Sequence, residues 1–150
     1  MKYYLAYGSN LNIEQMRYRC PDAQVVGKAY LEDYQLLFKG SKTGSYLTVE
    51  SCKGSKVPLG IWLISDADER KLDRYEGYPT FYYKKTIKFR FNGRIEEGII
   101  YIMHENRKLG IPSVQYVDTC LVGYKNFGFN LKYLDKAYKI SSEVEDGNKE

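Results

Sequence analysis

The stretch KYYLAYGSNL, residues Lys2–Leu11, sets the start of the fold. The aromatic and apolar residues of Lys2–Tyr7 predict a short strand, and Gly8 ends it. Asn12, followed by a glutamine three residues later, resembles a capping box and predicts a short helix that ends at Pro21. The chain therefore begins as strand, loop and helix.

Further strands are predicted from runs rich in Val, Ile, Leu, Tyr and Phe: 24–38, 46–52, 57–64, 82–91 and 94–103, with a loop over 40–44. Asn92-Gly93 joins the last two runs and is a strong hairpin signal. The return strand is apolar on both faces from Ile99 onward, which is typical of a covered central strand.

Further helices are predicted at three places. Asp66, with an acid three residues later, resembles a second capping box, and its helix should run to about Tyr75. Pro112-Ser113 should open another helix, and Asn130 should cap a last short one through Tyr138. The sequence thus predicts an α+β fold: a compact mixed β-barrel or strongly curved sheet with a few short flanking helices.

The length fits one domain, residues 1–140, followed by an acidic tail, 141–150, that we expect to be frayed. The tail carries four acidic residues and one lysine, so the body is more basic than the chain's net charge of +4. A basic body can attract nucleic acid or small anions, but the cations are scattered as on an ordinary solvated surface. We therefore expect no nucleic-acid partner; the oligomeric state is left open.

Several classes of protein are disfavoured by composition. No apolar run approaches a membrane span, and the N-terminal stretch is too short for a signal peptide. Three widely spaced cysteines favour a reducing compartment, so we expect a cytoplasmic protein. A single histidine, His104, and the lack of any Cys-x-x-Cys or Gly-x-Ser-x-Gly motif argue against a zinc site or a serine hydrolase. No metal or cofactor is expected.

Two segments could carry chemistry. In Tyr7–Leu11, a glycine turn before a helix presents consecutive N–H groups that could hold a carboxylate or an oxyanion; a plain turn is the simpler interpretation. Glu76 is predicted at a helix C-terminus, where the partial negative charge disfavours an acid. If buried among neighbouring aromatics, its pKa would rise, which suits a general base; an exposed glutamate without a role is the alternative.

Taken together, these segments resemble the gamma-glutamylcyclotransferase family. Tyr7–Leu11 is similar to its substrate loop, and Leu72–Gly77 to the segment that holds its catalytic glutamate. Leu59–Trp62 is similar to the strand before that helix, and Pro112–Tyr116 with Gly123 to the C-terminal helix. The resemblance runs from residue 3 to about 140.

The resemblance implies an enzyme that converts a small gamma-glutamyl compound to 5-oxoproline and a free amine. It implies Glu76 as the acid and base, with a substrate site formed by Tyr7, Gly8, Ser9, Asn10, Leu11, Tyr82 and Tyr116. Phe127–Asn130 stands where many members have Gly-Leu-Pro, and Gly44–Thr48 is bulkier than usual, so the released amine is left open. A non-catalytic module that binds small anions or gamma-glutamyl groups, a nucleic-acid binder and a structural partner protein are the alternatives.

Overall fold

Six strands form one sheet in the computed structural model, which describes residues 1–41 and 44–148. They are β1 (Lys2–Ala6), β2 (Gln24–Ser41), β3 (Gly44–Ile64), β4 (Tyr82–Phe91), β5 (Arg94–Met103) and β6 (Lys108–Leu109). Their order is β4-β5-β1-β3-β2-β6. The short β1 lies inside the sheet, antiparallel to β3 and parallel to β5. The predicted α+β fold with a strongly curved sheet is confirmed.

The long β2–β3 hairpin differs from the prediction, because segments 46–52 and 57–64 form one strand rather than two. Their pairing with β2 is irregular around Asp33, which has a positive φ of 62°. The Asp33 carboxylate accepts a hydrogen bond from the Gly54 N–H at 2.9 Å. This contact holds the intervening residues against the sheet, so the strand continues. Residues 42 and 43 of the predicted 40–44 loop lie outside the described residues.

The β4–β5 hairpin agrees with the prediction in both bounds and turn. Phe91 pairs with Arg94, and Asn92 and Gly93 have φ values of 51° and 74°. Positive φ at both central positions is the geometry for which an Asn-Gly pair is favoured. Residues Ile100 to Met103 at the end of β5 are buried, as expected of a covered strand.

The helices are α1 (Ile13–Arg19), α2 (Asp66–Tyr75), α3 (Val114–Phe127) and α4 (Lys132–Asn148). Asn12 and Ser113 cap α1 and α3 as predicted. The predicted cap of α2 is wrong by one residue: Ser65 is extended and exchanges hydrogen bonds with Asp68 in a capping box, so Asp66 is the first helical residue. No helix in residues 1–41 and 44–148 is long and apolar enough to cross a membrane.

The last helix is longer than predicted. It continues past Tyr138, and Ser141 is buried with its hydroxyl donating to the Phe38 carbonyl at 3.3 Å. Residues 141–148 of the expected frayed tail are therefore helical, while 149 and 150 lie outside the described residues. A domain over 1–140 with a separate tail stays a prediction.

The segment after β1 is held by backbone contact with α3. A single 3-10 turn, Ser9–Leu11, follows Gly8, and the Leu11 side chain is fully buried. A Cβ built on Gly123 of α3 would lie 2.7 Å from the Leu11 carbonyl carbon and 2.7 Å from the Asn12 nitrogen. Because only glycine permits that approach, Gly123 allows the loop backbone to pack directly against α3.

Candidate active site

Glu76 lies just beyond the last turn of α2, where its N–H donates to the Leu72 carbonyl at 2.8 Å. The next residue, Gly77, has a φ of 65°, and the Tyr78 N–H then donates to Asp73 O at 2.9 Å. A left-handed residue after the helix is the usual position for glycine in such a C-cap. The chain therefore turns away after Glu76 and leaves its side chain at the wall of a cavity.

The cavity has a volume of about 390 Å³, which is in the range of small-molecule sites. It is formed where β1, the loop after it and the end of α2 meet. Its walls are mainly aromatic and are lined by Tyr4, Tyr7, Gly8, Ser9, Asn10, Tyr46, Leu47, Arg74, Tyr75, Glu76, Gly77, Phe81, Tyr82, Tyr101 and Tyr116. Every predicted site residue except Leu11 is in this set.

Leu11 has a different position from the one predicted. Its N–H donates to the Gly8 carbonyl at 3.0 Å within the 3-10 turn, and its side chain is in the core. The N–H groups of Gly8, Ser9 and Asn10 have no hydrogen-bond partner among residues 1–41 and 44–148. Because these three residues line the cavity, their N–H groups, without that of Leu11, are candidate donors to a bound anion.

The Asn10 side chain connects the loop to Glu76. Its Nδ2 donates to Tyr4 Oη at 2.9 Å and, with a long contact of 3.4 Å, to Glu76 Oε1. The Asn10 backbone carbonyl accepts from Trp62 Nε1 at 3.0 Å. The loop and the glutamate, 66 residues apart in the sequence, thus meet at one wall of the cavity.

The electrostatic setting of Glu76 favours its neutral form. Burial among the cavity aromatics raises the pKa of this carboxyl to about 8, while the Arg19 guanidinium acts in the opposite direction. Burial also raises the pKa of Tyr4, Tyr7 and Tyr82, so these phenols stay protonated around it. A carboxyl that exchanges its proton near neutral pH can act as an acid and as a base.

The three predicted tyrosines line the cavity, and each hydroxyl is bonded to backbone. Tyr7 Oη donates to the Tyr101 carbonyl at 2.6 Å, and Tyr82 Oη donates to the Leu47 carbonyl at 2.7 Å. Tyr116 Oη accepts from the Leu47 N–H at 3.1 Å. These hydroxyls are therefore engaged with the backbone of the cavity walls.

Sequence reasoning missed several wall residues and one residue behind the wall. Tyr4, Tyr46, Tyr101 and Arg74 line the cavity, and Arg19 contacts Asn10. The chain has 16 tyrosines, so the presence of a tyrosine does not by itself indicate a site residue. Arg19 lies in the last turn of α1, where a basic residue is ordinary. In the described part of the chain, no group of three or more His, Cys, Asp or Glu side chains is arranged to hold a metal ion.

The chain matches one protein family and has relatives that align over most of both chains. A family model described as "Gamma-glutamyl cyclotransferase, AIG2-like" matches residues 4–118. The human protein named gamma-glutamylcyclotransferase is 30% identical, over 95% of this chain and 85% of its own length. The protein of the same name from Bos taurus is 29% identical over the same shares.

Solved structures agree with this match. One named gamma-glutamyl cyclotransferase superposes with a TM-score of 0.80 at 29% identity, over 91% of this chain and 85% of that one. YkqA from Bacillus subtilis superposes with a TM-score of 0.76, over 94% of this chain and 54% of that one. Its 18% identity is a likeness of fold alone.

Proposed function

The chain belongs to the gamma-glutamyl cyclotransferase, AIG2-like, family and is an enzyme of that kind, and we propose that it closes a gamma-glutamyl group into 5-oxoproline with release of a free amine. Glu76 serves as the general acid and base. The observation that carries this proposal is that Glu76 and the loop residues Gly8, Ser9 and Asn10 line the same cavity. Burial there raises the pKa of the Glu76 carboxyl to about 8, which suits this role.

Binding begins at the loop. The substrate's alpha-carboxylate accepts hydrogen bonds from the N–H groups of Gly8–Asn10, at the start of a short helical turn. The alpha-ammonium then faces Glu76. The aromatic walls exclude water and keep the substrate folded, with its amine close to its own gamma-carbonyl. Well-oriented intramolecular reactions reach effective molarities of ~10⁵ M or more, so selection of this conformer is a large part of catalysis.

The chemical step needs proton transfers away from the attacking nitrogen and onto the leaving nitrogen. Glu76, as the carboxylate, takes a proton from the alpha-ammonium, and the free amine attacks the gamma-carbonyl carbon to close a five-membered ring. The tetrahedral intermediate carries an oxyanion. Protonated Glu76 then returns its proton to the leaving nitrogen as the oxyanion collapses and the C–N bond breaks. The ring nitrogen still carries a second proton, which passes to the Glu76 carboxylate and then to the released amine. The products are 5-oxoproline and the amine as its ammonium ion, and Glu76 is again a carboxylate.

The three cysteines, Cys20, Cys52 and Cys120, are all free thiols. Free thiols suit a reducing compartment, and we therefore propose that the enzyme acts in the cytoplasm.

The test compares wild type with Glu76→Gln on a panel of gamma-glutamyl amino acids and amines, measuring release of 5-oxoproline. The glutamine keeps the shape and cannot act as a base, so we expect a loss of kcat of at least ~100-fold. Glu97→Gln is the matched control, because Glu97 is exposed on β5 and lies outside the cavity lining. Activity of Glu76→Gln near the wild-type level would refute the proposed role, and binding without turnover by the wild type would favour the non-catalytic module.

A further inference from the structure

We propose that Arg19 is a positioning residue of this site, which fixes the side-chain amide of Asn10 and supplies the positive charge opposite Glu76. The inference rests on the proposed function, because it assigns a partner to Glu76. Arg19 is not among the cavity-lining residues and lies behind Asn10, at the end of α1. It therefore acts through other groups rather than on the substrate.

The first contact is with Asn10. The Arg19 guanidinium donates from Nη1 to Asn10 Oδ1, and from Nη2 to Gln15 Oε1 at 3.3 Å. With Oδ1 engaged, the amide nitrogen of Asn10 is directed at Tyr4 and Glu76. The reversed amide would bring an oxygen against a carboxylate and an NH₂ group against a guanidinium. Arg19 therefore selects the amide orientation that donates to Glu76.

The second contact is with Tyr75, the residue before Glu76. The guanidinium carbon lies 3.5 Å from the centroid of the Tyr75 ring. The Tyr75 hydroxyl in turn forms a hydrogen bond with Ser9 Oγ at 3.0 Å. Arg19 thus joins the loop after β1 to the end of α2, the two segments that carry the proposed site. A planar guanidinium can stack and donate in one orientation, whereas a lysine ammonium cannot.

The third effect is electrostatic. Among the described residues, the ionisable groups that act on Glu76 are the Arg19 guanidinium and the phenols of Tyr4, Tyr7, Tyr75 and Tyr82. Arg74 also lines the cavity. Burial raises the pKa of each phenol, so they are neutral at physiological pH. The Arg19 charge is thus the effect that opposes burial and favours the carboxylate. Its removal should raise the pKa of Glu76 further and leave less base at neutral pH.

The experiment separates charge from geometry with three variants. Arg19→Met removes both, Arg19→Gln keeps a donor without the charge, and Arg19→Lys keeps the charge without the planar fork. The control is Arg17→Met, an exposed arginine of the same last turn of α1. Each protein is assayed for kcat and KM from pH 6 to 9, after a thermal melt that verifies folding.

In Arg19→Met and Arg19→Gln, we expect the rise of kcat/KM with pH, the acid limb of the profile, to occur about one pH unit higher than in the wild type. At pH 7 this shift lowers kcat/KM by about tenfold. Arg19→Lys should keep the limb in place and lose only a few-fold in kcat, since the Asn10 amide is less well fixed. Arg17→Met should behave as wild type.

Two results would overturn the inference. One is that Arg19→Met and Arg19→Gln fold, show the acid limb at the same pH as the wild type, and have a kcat/KM within about threefold of the wild-type value. The other is an equal loss in all three variants with an unmoved limb, which is what a merely structural arginine gives. If Arg19→Met does not fold, Arg19→Gln and Arg19→Lys decide by the same criteria. If Glu76→Gln is inactive while the Arg19 variants behave as wild type, the inference about Arg19 is wrong and the proposed function stands. If Glu76→Gln is active, the proposed function itself is wrong.

Discussion

Replacing Glu76 with Gln should stabilise the protein relative to the wild type, and this difference should grow as the pH rises. The reason is that burial disfavours the charged form of the Glu76 carboxyl. The pKa of Glu76 is raised from 4.5 to about 8 in the folded protein. Between these values the folded state keeps a proton that the unfolded chain has lost. Stability from this group is therefore complete below pH 4.5 and is lost as the pH rises toward 8.

The size of the effect follows from linkage. The wild type should lose up to ~1.4 kcal/mol of unfolding free energy per pH unit in that window, relative to a variant with a neutral side chain. From pH 5.5 to 7.5 the advantage of Glu76→Gln should grow by about 1.5–2.5 kcal/mol, the lower figure allowing for the partial exposure of this side chain. Above pH 8 the advantage should level off.

The assay is urea unfolding at several pH values, followed by the fluorescence of Trp62, the single tryptophan, which is buried. Glu97→Gln serves as the control, since an exposed carboxylate should give a difference that does not change with pH. A Glu76→Gln advantage that stays constant within ~0.5 kcal/mol from pH 5.5 to 7.5 would refute the reasoning, because the carboxyl would then titrate as an ordinary glutamate.

Three other predictions concern rate, binding and packing. The kcat/KM of the wild type should rise about tenfold per pH unit until it levels near pH 8, where Glu76 becomes a carboxylate; a flat profile from pH 6 to 9 in steady-state assays would contradict this. Gly8→Ala should raise KM several-fold with an unchanged circular dichroism spectrum, because its Cβ would lie 3.3 Å from Tyr116 Oη beside the free N–H groups; an unaltered KM would count against substrate binding there. Tyr116→Phe should lower the unfolding free energy, measured by urea unfolding, by about 1–3 kcal/mol, because the Leu47 N–H loses its acceptor. The exposed Tyr18→Phe is the control, and a loss in Tyr116→Phe no larger than in this control would disprove the prediction.

Local chemistry explains what the sequence predicted well. The Asn92-Gly93 turn depends on two residues that tolerate positive φ, so the hairpin around it could be read from a dipeptide. Gly77 after Glu76 likewise predicted where α2 ends, because a glycine suits the left-handed position beyond a helix. Both features need only neighbouring residues.

The predictions from sequence were wrong or incomplete where contacts between residues far apart in the chain determine the structure. The continuity of β3 depends on Asp33, which reaches across the hairpin to Gly54. Leu11 is taken out of the site by packing against α3, and the Arg19 contacts depend on how α1 and α2 lie together. At the start of α2, Ser65 and Asp66 are both good caps, and only the backbone geometry chooses between them.

The most direct measurement is the structure of the enzyme with a gamma-glutamyl analogue that cannot cyclise. We predict that its alpha-carboxylate lies within about 3.2 Å of at least two N–H groups of Gly8–Asn10. Its alpha-amine should lie about 2.6–3.2 Å from a Glu76 carboxylate oxygen. An analogue bound with its amine well beyond hydrogen-bond reach of Glu76, or with its carboxylate away from the loop, would contradict it.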